Sequence, residues 1–216
     1  LQPDGLLMFG AQQYEPTLDA AEVAGIPCVV LGRDTSRYDV SGLGRNEYRY
    51  AYEATTYLID LGHRAIAFLG GDTAYDYLHT RQAGYRQALT EHGIEVCEDW
   101  VQVGDGRVAT THVLEHAREV TALMYINDNC AAAGLPLVVE AGLQIPDDLS
   151  VISFDDTEIA RGYQPPLTSV SYRRYEEGQC AVKMLVDQIR YPYVERVQVI
   201  FDAELVERAS CCPPRN

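Results

Sequence analysis

Short, continuously apolar runs alternate with longer amphipathic ones along almost the whole chain, and few architectures accept that order. "GLLMFG" (5–10) and "PCVVLG" (27–32) read as buried strands. Between them "TLDAAEVAG" (17–25) reads as a helix closed by Gly25. "NEYRYAYEATTYLIDLGH" (46–63) is a helix opened by Asn46 and stopped at Gly62. The order repeats as strand 65–71, helix 81–93, strand 100–105, helix 109–118 and strand 121–128. A helix at 129–142, interrupted or kinked by Pro136, precedes strand 150–156. A helical stretch at 172–190 and a strand pair or bent strand at 197–208 close the chain. Strands that are apolar throughout, rather than every second residue, fit a parallel sheet covered by helices on both faces. The fold class is α/β.

Ligands of open parallel sheets bind beyond the carboxyl ends of the strands. Those ends are "FGAQQ" (9–13), "LGRD" (31–34), "LGGD" (69–72), "VGDG" (103–106), "IND" (126–128) and "FDD" (154–156). Asp155 is a candidate ligand contact, since a carboxylate there accepts two hydrogen bonds from neighbouring hydroxyls. Asp156 either caps the next turn or joins it. Of Asn127 and Asp128, one caps the following helix and the other faces the crevice. Arg81 is expected at a helix start, where the macrodipole disfavours it, while its planar fork suits a ligand. Tyr75 and Tyr77 offer stacking faces beside it, or ordinary packing.

Several classes of function are excluded on composition and motif. Thirty-two acids against 17 bases leave a net charge of -15, and Lys183 is the only Lys. Nucleic-acid affinity rests on cations displacing counterions, so this chain alone is a poor DNA binder. The six cysteines show no CxxC spacing and read as reduced, mostly buried thiols. His112 and His116 have metal-compatible spacing but no evident third ligand, so they read as a solvated face. "GLGRNE" (42–47) offers two glycines of a dinucleotide fingerprint with Glu47 in the third place, and no strong strand precedes it. No nucleophile elbow and no Ser/His/Asp or Cys/His set stands out, so no catalytic residue, metal or cofactor is assigned. No apolar run approaches a membrane span, and no signal peptide opens the chain.

"DGLLMFG", "AGIPCVVLGRD", "EATTYLIDLGHRAIAFLGG", "RQAGYRQALTEHGI", "TALMYINDNCAAAGL", "GLQIPDDLSVISFDDTEIARGYQPPLTSVSY" and "ELVERAS" follow one another in order. Together they resemble the effector-binding domain of bacterial transcriptional regulators of the LacI/GalR type, over essentially the whole chain. The resemblance implies a periplasmic-binding-protein-like fold (type I) of two doubly wound subdomains, one of 1–61 and 173–194, the other of 62–172 and 197–216. Crossings are then expected near Gly62, Tyr172 and Glu195. It also implies that Arg81, Asn127 and Asp155 hold a small molecule in the cleft between the subdomains, with Tyr75, Tyr77 and Tyr172 around it. The Pro165–Pro166 corner then turns the chain into the second crossing.

Three positions depart from the pattern. Gly106 stands where an aromatic is frequent, Tyr172 where a Gln is common, and Arg49 where some sugar-responsive members carry an acid. The implied protein is a cytoplasmic, non-enzymatic homodimer that answers a sugar or sugar-like effector. It reaches operator DNA only through an amino-terminal helix-turn-helix that this chain lacks. A periplasmic sugar-binding protein of a transport system is the alternative. The resemblance further leads us to expect that two strand–helix units precede "DGLLMFG" in a complete member. That strand would then be left as an exposed apolar edge.

Overall fold

Each apolar run becomes a strand, and the strands gather into two sheets. A computed structural model describes residues 3–9, 15–32, 35, 38–73 and 75–215. In chain order the first elements are β1 (Leu6–Phe9), α1 (Glu15–Val23), β2 (Cys28–Leu31), β3 (Ser41–Arg45) and α2 (Glu47–Asp60). There follow β4 (Ile66–Leu69), α3 (Asp76–Glu91), β5 (Val101–Gln102), α4 (Gly106–His116), β6 (Ala122–Tyr125) and α5 (Asp128–Glu140). The chain ends through β7 (Ser150–Phe154), α6 (Glu158–Gly162), β8 (Thr168–Tyr172), α7 (Arg174–Arg190), β9 (Gln198–Phe201) and β10 (Ala203–Val206).

The smaller unit comprises Leu1–Asn46 and Arg173–Asp202. Its sheet has the order β1-β2-β3-β9, parallel throughout. Helix α1 covers one face, where Leu18 and Ala21 meet Cys28 and Val30. Helix α7 covers the other, where Ala181 meets Val29, Leu31 and Leu43. Consecutive residues of β2 thus enter two different cores, which is why the run is apolar without alternation. β1 stands at one edge of this sheet, with Leu7 and Phe9 44% and 69% exposed.

The larger unit comprises Glu47–Tyr172 and Ala203–Asn216. Its sheet runs β10-β8-β7-β6-β4-β5, parallel except for β10 against β8. Counted from β4, this is the flavodoxin-like order 2-1-3-4-5 with an antiparallel strand added at one edge. Tyr50, Leu58, Tyr85 and Leu89 of α2 and α3 pack on Ile66, Phe68, Met124 and Ile152. Val113, Leu135 and Val138 of α4 and α5 pack on Ala67, Leu69, Leu123 and Val151. The chain is α/β and doubly wound.

Several elements differ from the sequence reading. The glycine-containing "SGLGR", to which no element was assigned from the sequence, is strand β3; Gly42 sits there against Thr35 and Gln198, whose side chains leave no room for a Cβ. The short α6 and the strand β8 were not anticipated. Helix α5 runs unbroken through Pro136. Gln198–Phe201 and Ala203–Val206 do not pair with one another but enter different sheets. The sequence boundary is drawn near Gly62, whereas α2 groups with the larger unit. Its contact with α3 is so close that a Cβ on Gly84 would lie 2.2 Å from the Tyr48 carbonyl. The last crossing lies at Asp202, not near Glu195. Among the described residues no helix is long and apolar enough to cross a membrane.

Candidate functional site

In the larger unit the winding reverses between β4 and β6, because β5 lies outside β4 and the chain then returns to β6 on the other side. Strand ends diverge at such a point and leave a crevice. A depression of about 500 Å³ lies there, lined by Gly71, Asp72, Tyr75, Tyr77, Asp105, Asn127 and Cys130 among others. The chain leaves β4 through Gly70 and Gly71, whose φ angles of 91° and 106° suit glycine. Gly71 then receives the Gly104 amide at 2.8 Å, joining the ends of β4 and β5.

Asn127 is the N-cap of α5; its side-chain oxygen accepts from the Cys130 amide at 2.8 Å while the residue lines the depression. Asp128 turns inward instead. Its Oδ1 accepts from the Ser153 and Ser169 hydroxyls, and its Oδ2 from the Thr157 amide and hydroxyl. It therefore ties together the end of β7, the start of β8 and the start of α6. Tyr75 and Tyr77 stack on each other with centroids 5.2 Å apart. Burial, first of all, raises the Tyr77 phenol.

Arg81 is not at a helix start. α3 begins at Asp76, which puts Arg81 in its second turn, 3% exposed. Nε donates to Glu47 Oε2 at 2.7 Å, Nη2 to the Tyr172 hydroxyl at 2.8 Å, and Nη1 to the Ile126 carbonyl. The Tyr172 hydroxyl in turn donates to Glu47 Oε2 at 2.8 Å. The guanidinium carbon lies 4.3 Å from the Phe154 ring centroid and 4.9 Å from that of Tyr77. Burial works against the charge on Arg81, but Tyr172 and Glu47 outweigh it and raise its pKa above the usual value. Tyr172, which stands where a Gln is common, is buried and bonded through its hydroxyl; burial foremost raises its pKa.

Asp155 and Asp156 leave β7 with φ of 104° and 46°, rare for residues with a Cβ. Asp155 follows Phe154 at the carboxyl end of β7, and its charge contributes in a minor way to raising the Tyr77 and Tyr172 phenols and the Cys130 thiol. Asp156 does not cap α6; Thr157 does. Asp156 instead meets Arg161 at 2.9 Å and Arg208 at 2.5 Å. Burial would raise its carboxyl, but bonds from Arg161 and Arg208 prevail and hold it below the usual carboxylate range.

Gly106 has a packing reason. A Cβ there would lie 2.1 Å from the Cys130 carbonyl, where α4 starts against α5. Arg49 pairs with Glu53 on the surface of α2. His112 and His116 lie on α4 with rings 4.9 Å apart. Among the described residues no group of three or more His, Cys, Asp or Glu is placed to hold a metal. Most of "FGAQQ" and the Arg33-Asp34 end of "LGRD" lie outside the described residues.

The sequence reading marked the strand ends that carry Asp72 and Asp105 without singling out either residue, and it missed Cys130 as a lining residue and Glu47 as the partner of Arg81. Asp105 had a signal, since it caps α4 by accepting from the Arg107 amide at 2.9 Å. Glu47 had none, because 34 residues separate it from Arg81. Stacked rings beside an amide and carboxylates can hold a hydroxylated ring compound. Burial raises the thiol of Cys130, which lines the depression.

Known proteins share this architecture. The family description "Periplasmic binding protein-like domain" matches residues 55–211. The HTH-type transcriptional repressor PurR of Pasteurella multocida is 32% identical over 215 residues, covering 96% of this chain and 64% of that protein. The solved complex of the transcriptional regulator CelR with cellobiose is 30% identical, with a TM-score of 0.89 over 96% of this chain and 65% of that one. A LacI family transcriptional regulator from Enterococcus faecium with bound ribose is 26% identical, with a TM-score of 0.87 over 97% and 80% of the two chains. The chain spans just under two thirds of the length of the curated relatives it matches.

Proposed function

Because the chain belongs to the periplasmic binding protein-like domain family, in the form carried by LacI-type transcriptional regulators, we propose that it binds a small effector, a sugar or sugar-like molecule, at the carboxyl-end face of the larger unit. The observation that carries this reading is the depression at the switch point of the sheet, with stacked Tyr75 and Tyr77 beside Asn127. Asp155, held at a strained φ at the carboxyl end of β7, supplies a carboxylate for ligand hydroxyls. Arg81 and Tyr172 shape the site from below. Binding would shift the population of two arrangements that differ in affinity for the effector. In the whole protein that shift would govern operator binding, by a cytoplasmic homodimer, through a helix-turn-helix outside these residues.

Small molecules that co-purify with the protein, identified by mass spectrometry, supply the ligand for titration. Asp155→Ala should then weaken calorimetric binding by ~1–3 kcal/mol, as expected when ligand hydroxyls lose a charged partner, with the unfolding transition preserved. Wild-type affinity in that variant would remove Asp155 from the site.

A further inference from the structure

Arg81 lies beneath the face assigned to the effector, and its fork is already answered from inside the protein. Both Nε and Nη2 stand 2.7 Å from Glu47 Oε2. The Tyr172 hydroxyl closes the triangle at 2.8 Å from each partner, and Nη1 is taken by the Ile126 carbonyl. The two charged side chains are only 4% and 13% exposed. A guanidinium so paired presents no net charge to an incoming anion.

An anionic ligand would have to evict a carboxylate that is part of the chain. Glu47 is the first residue of α2, where the positive end of the helix favours a negative side chain. Its tether also keeps it at high local concentration against any free competitor. A neutral hydroxyl cannot evict it either, since a buried cation would lose its counter-charge. Asp72 and Asp105 line the depression, and Asp155 follows β7 at the same carboxyl-end face of the sheet. With Arg81 neutralised, like charge turns away phosphate and carboxylate.

We propose, building on the effector-binding reading above, that Glu47 is a specificity-determining residue: by occupying Arg81 it restricts the site to effectors without an anionic group. Glu47→Gln keeps the shape of the side chain and an acceptor oxygen, but releases the Arg81 charge toward the ligand face.

The test is calorimetric titration of the full chain with matched probes: glucose against glucose 6-phosphate, galactose against galacturonate, adenosine against adenosine monophosphate. The wild-type chain should bind at least one neutral probe and take its anionic counterpart at least tenfold more weakly. Glu47→Gln should shift that ratio at least tenfold toward the anion. Should this variant not fold, Tyr172→Phe removes one bond to Glu47 and should shift the ratio in the same direction by a smaller factor. A wild-type chain that prefers the anion, or a folded variant with an unchanged ratio, overturns the role of Glu47 and leaves the effector site standing. If neither wild type nor variant binds any probe, the effector reading itself fails, and this inference with it.

Discussion

Arg81 shows how a side chain changes meaning when its surroundings are known. Read along the chain it is a fork with no obvious partner, and a ligand is the natural candidate. In the structure it is a buried cation bonded to Glu47, Tyr172 and Ile126. Removing it leaves the Glu47 carboxylate without its buried counter-charge. Arg81→Ala should therefore lower stability by ~3–5 kcal/mol, read as a shift of the urea midpoint. That outcome would contrast with Asp155→Ala, which should mainly lose ligand affinity. A midpoint that does not move would mean that the Glu47 pair contributes nothing to folding. Asp156 is a parallel case: its place after a strand suggests a cap, but Arg161 and the distant Arg208 claim both of its oxygens.

Elements were most legible where burial is two-sided. The runs that became β2, β4, β6 and β7 are apolar because both of their faces are covered, and that needs no partner to be recognised. β3 and β8 escaped for the opposite reason. "SGLGR" has little strand propensity of its own and is held by β2 and β9 on either side. "TSVSY" mixes polar with apolar residues, and its partners are distant in sequence: the Ser169 hydroxyl donates to Asp128 and the Thr168 amide to the Ser210 hydroxyl. The reason for Gly106 at the start of α4 was similarly opaque, since the residue is required by contact with α5 and not by any local turn. Gly106→Ala should force the two helices apart and destabilise the fold by ~1–3 kcal/mol. Because Cys130 lines the depression, effector affinity should fall with it. An unchanged melting temperature in that variant would contradict the close approach.

Across the larger unit, the response to acid should come in two steps. His63 is 1% exposed, bonded to Thr121, Ser150 and the Cys212 carbonyl, and burial lowers its pKa from 6.5. Below 6.5 the unfolded chain takes up a proton that the folded chain resists. Stability is therefore full above that pH and declines as pH falls toward the lowered folded value, by up to ~1.4 kcal/mol per pH unit for one group. Asp156, also lowered, acts only further down: its contribution is present above 3.8 and is lost as pH falls through the folded value. Urea midpoints measured from pH 8 to 5 should fall below about 6.5 in the wild type, and His63→Gln should flatten that slope. Equal slopes in the two proteins would assign the acid sensitivity to other groups.

Strand and helix order, the parallel sheet, and the strand ends at which polar groups gather follow from the chain itself. They depend on periodicity and on turn residues, which act over a few neighbours. Pairing across long separations does not. Glu47 with Arg81, Asp156 with Arg208, β3 with β9, and the grouping of α2 with the larger unit arise only when segments far apart in sequence pack together. Burial then multiplies the strength of each charge and hydrogen bond. The chain alone therefore marks Arg81 as a place to look, and the packing around it supplies the carboxylate that decides what it can hold.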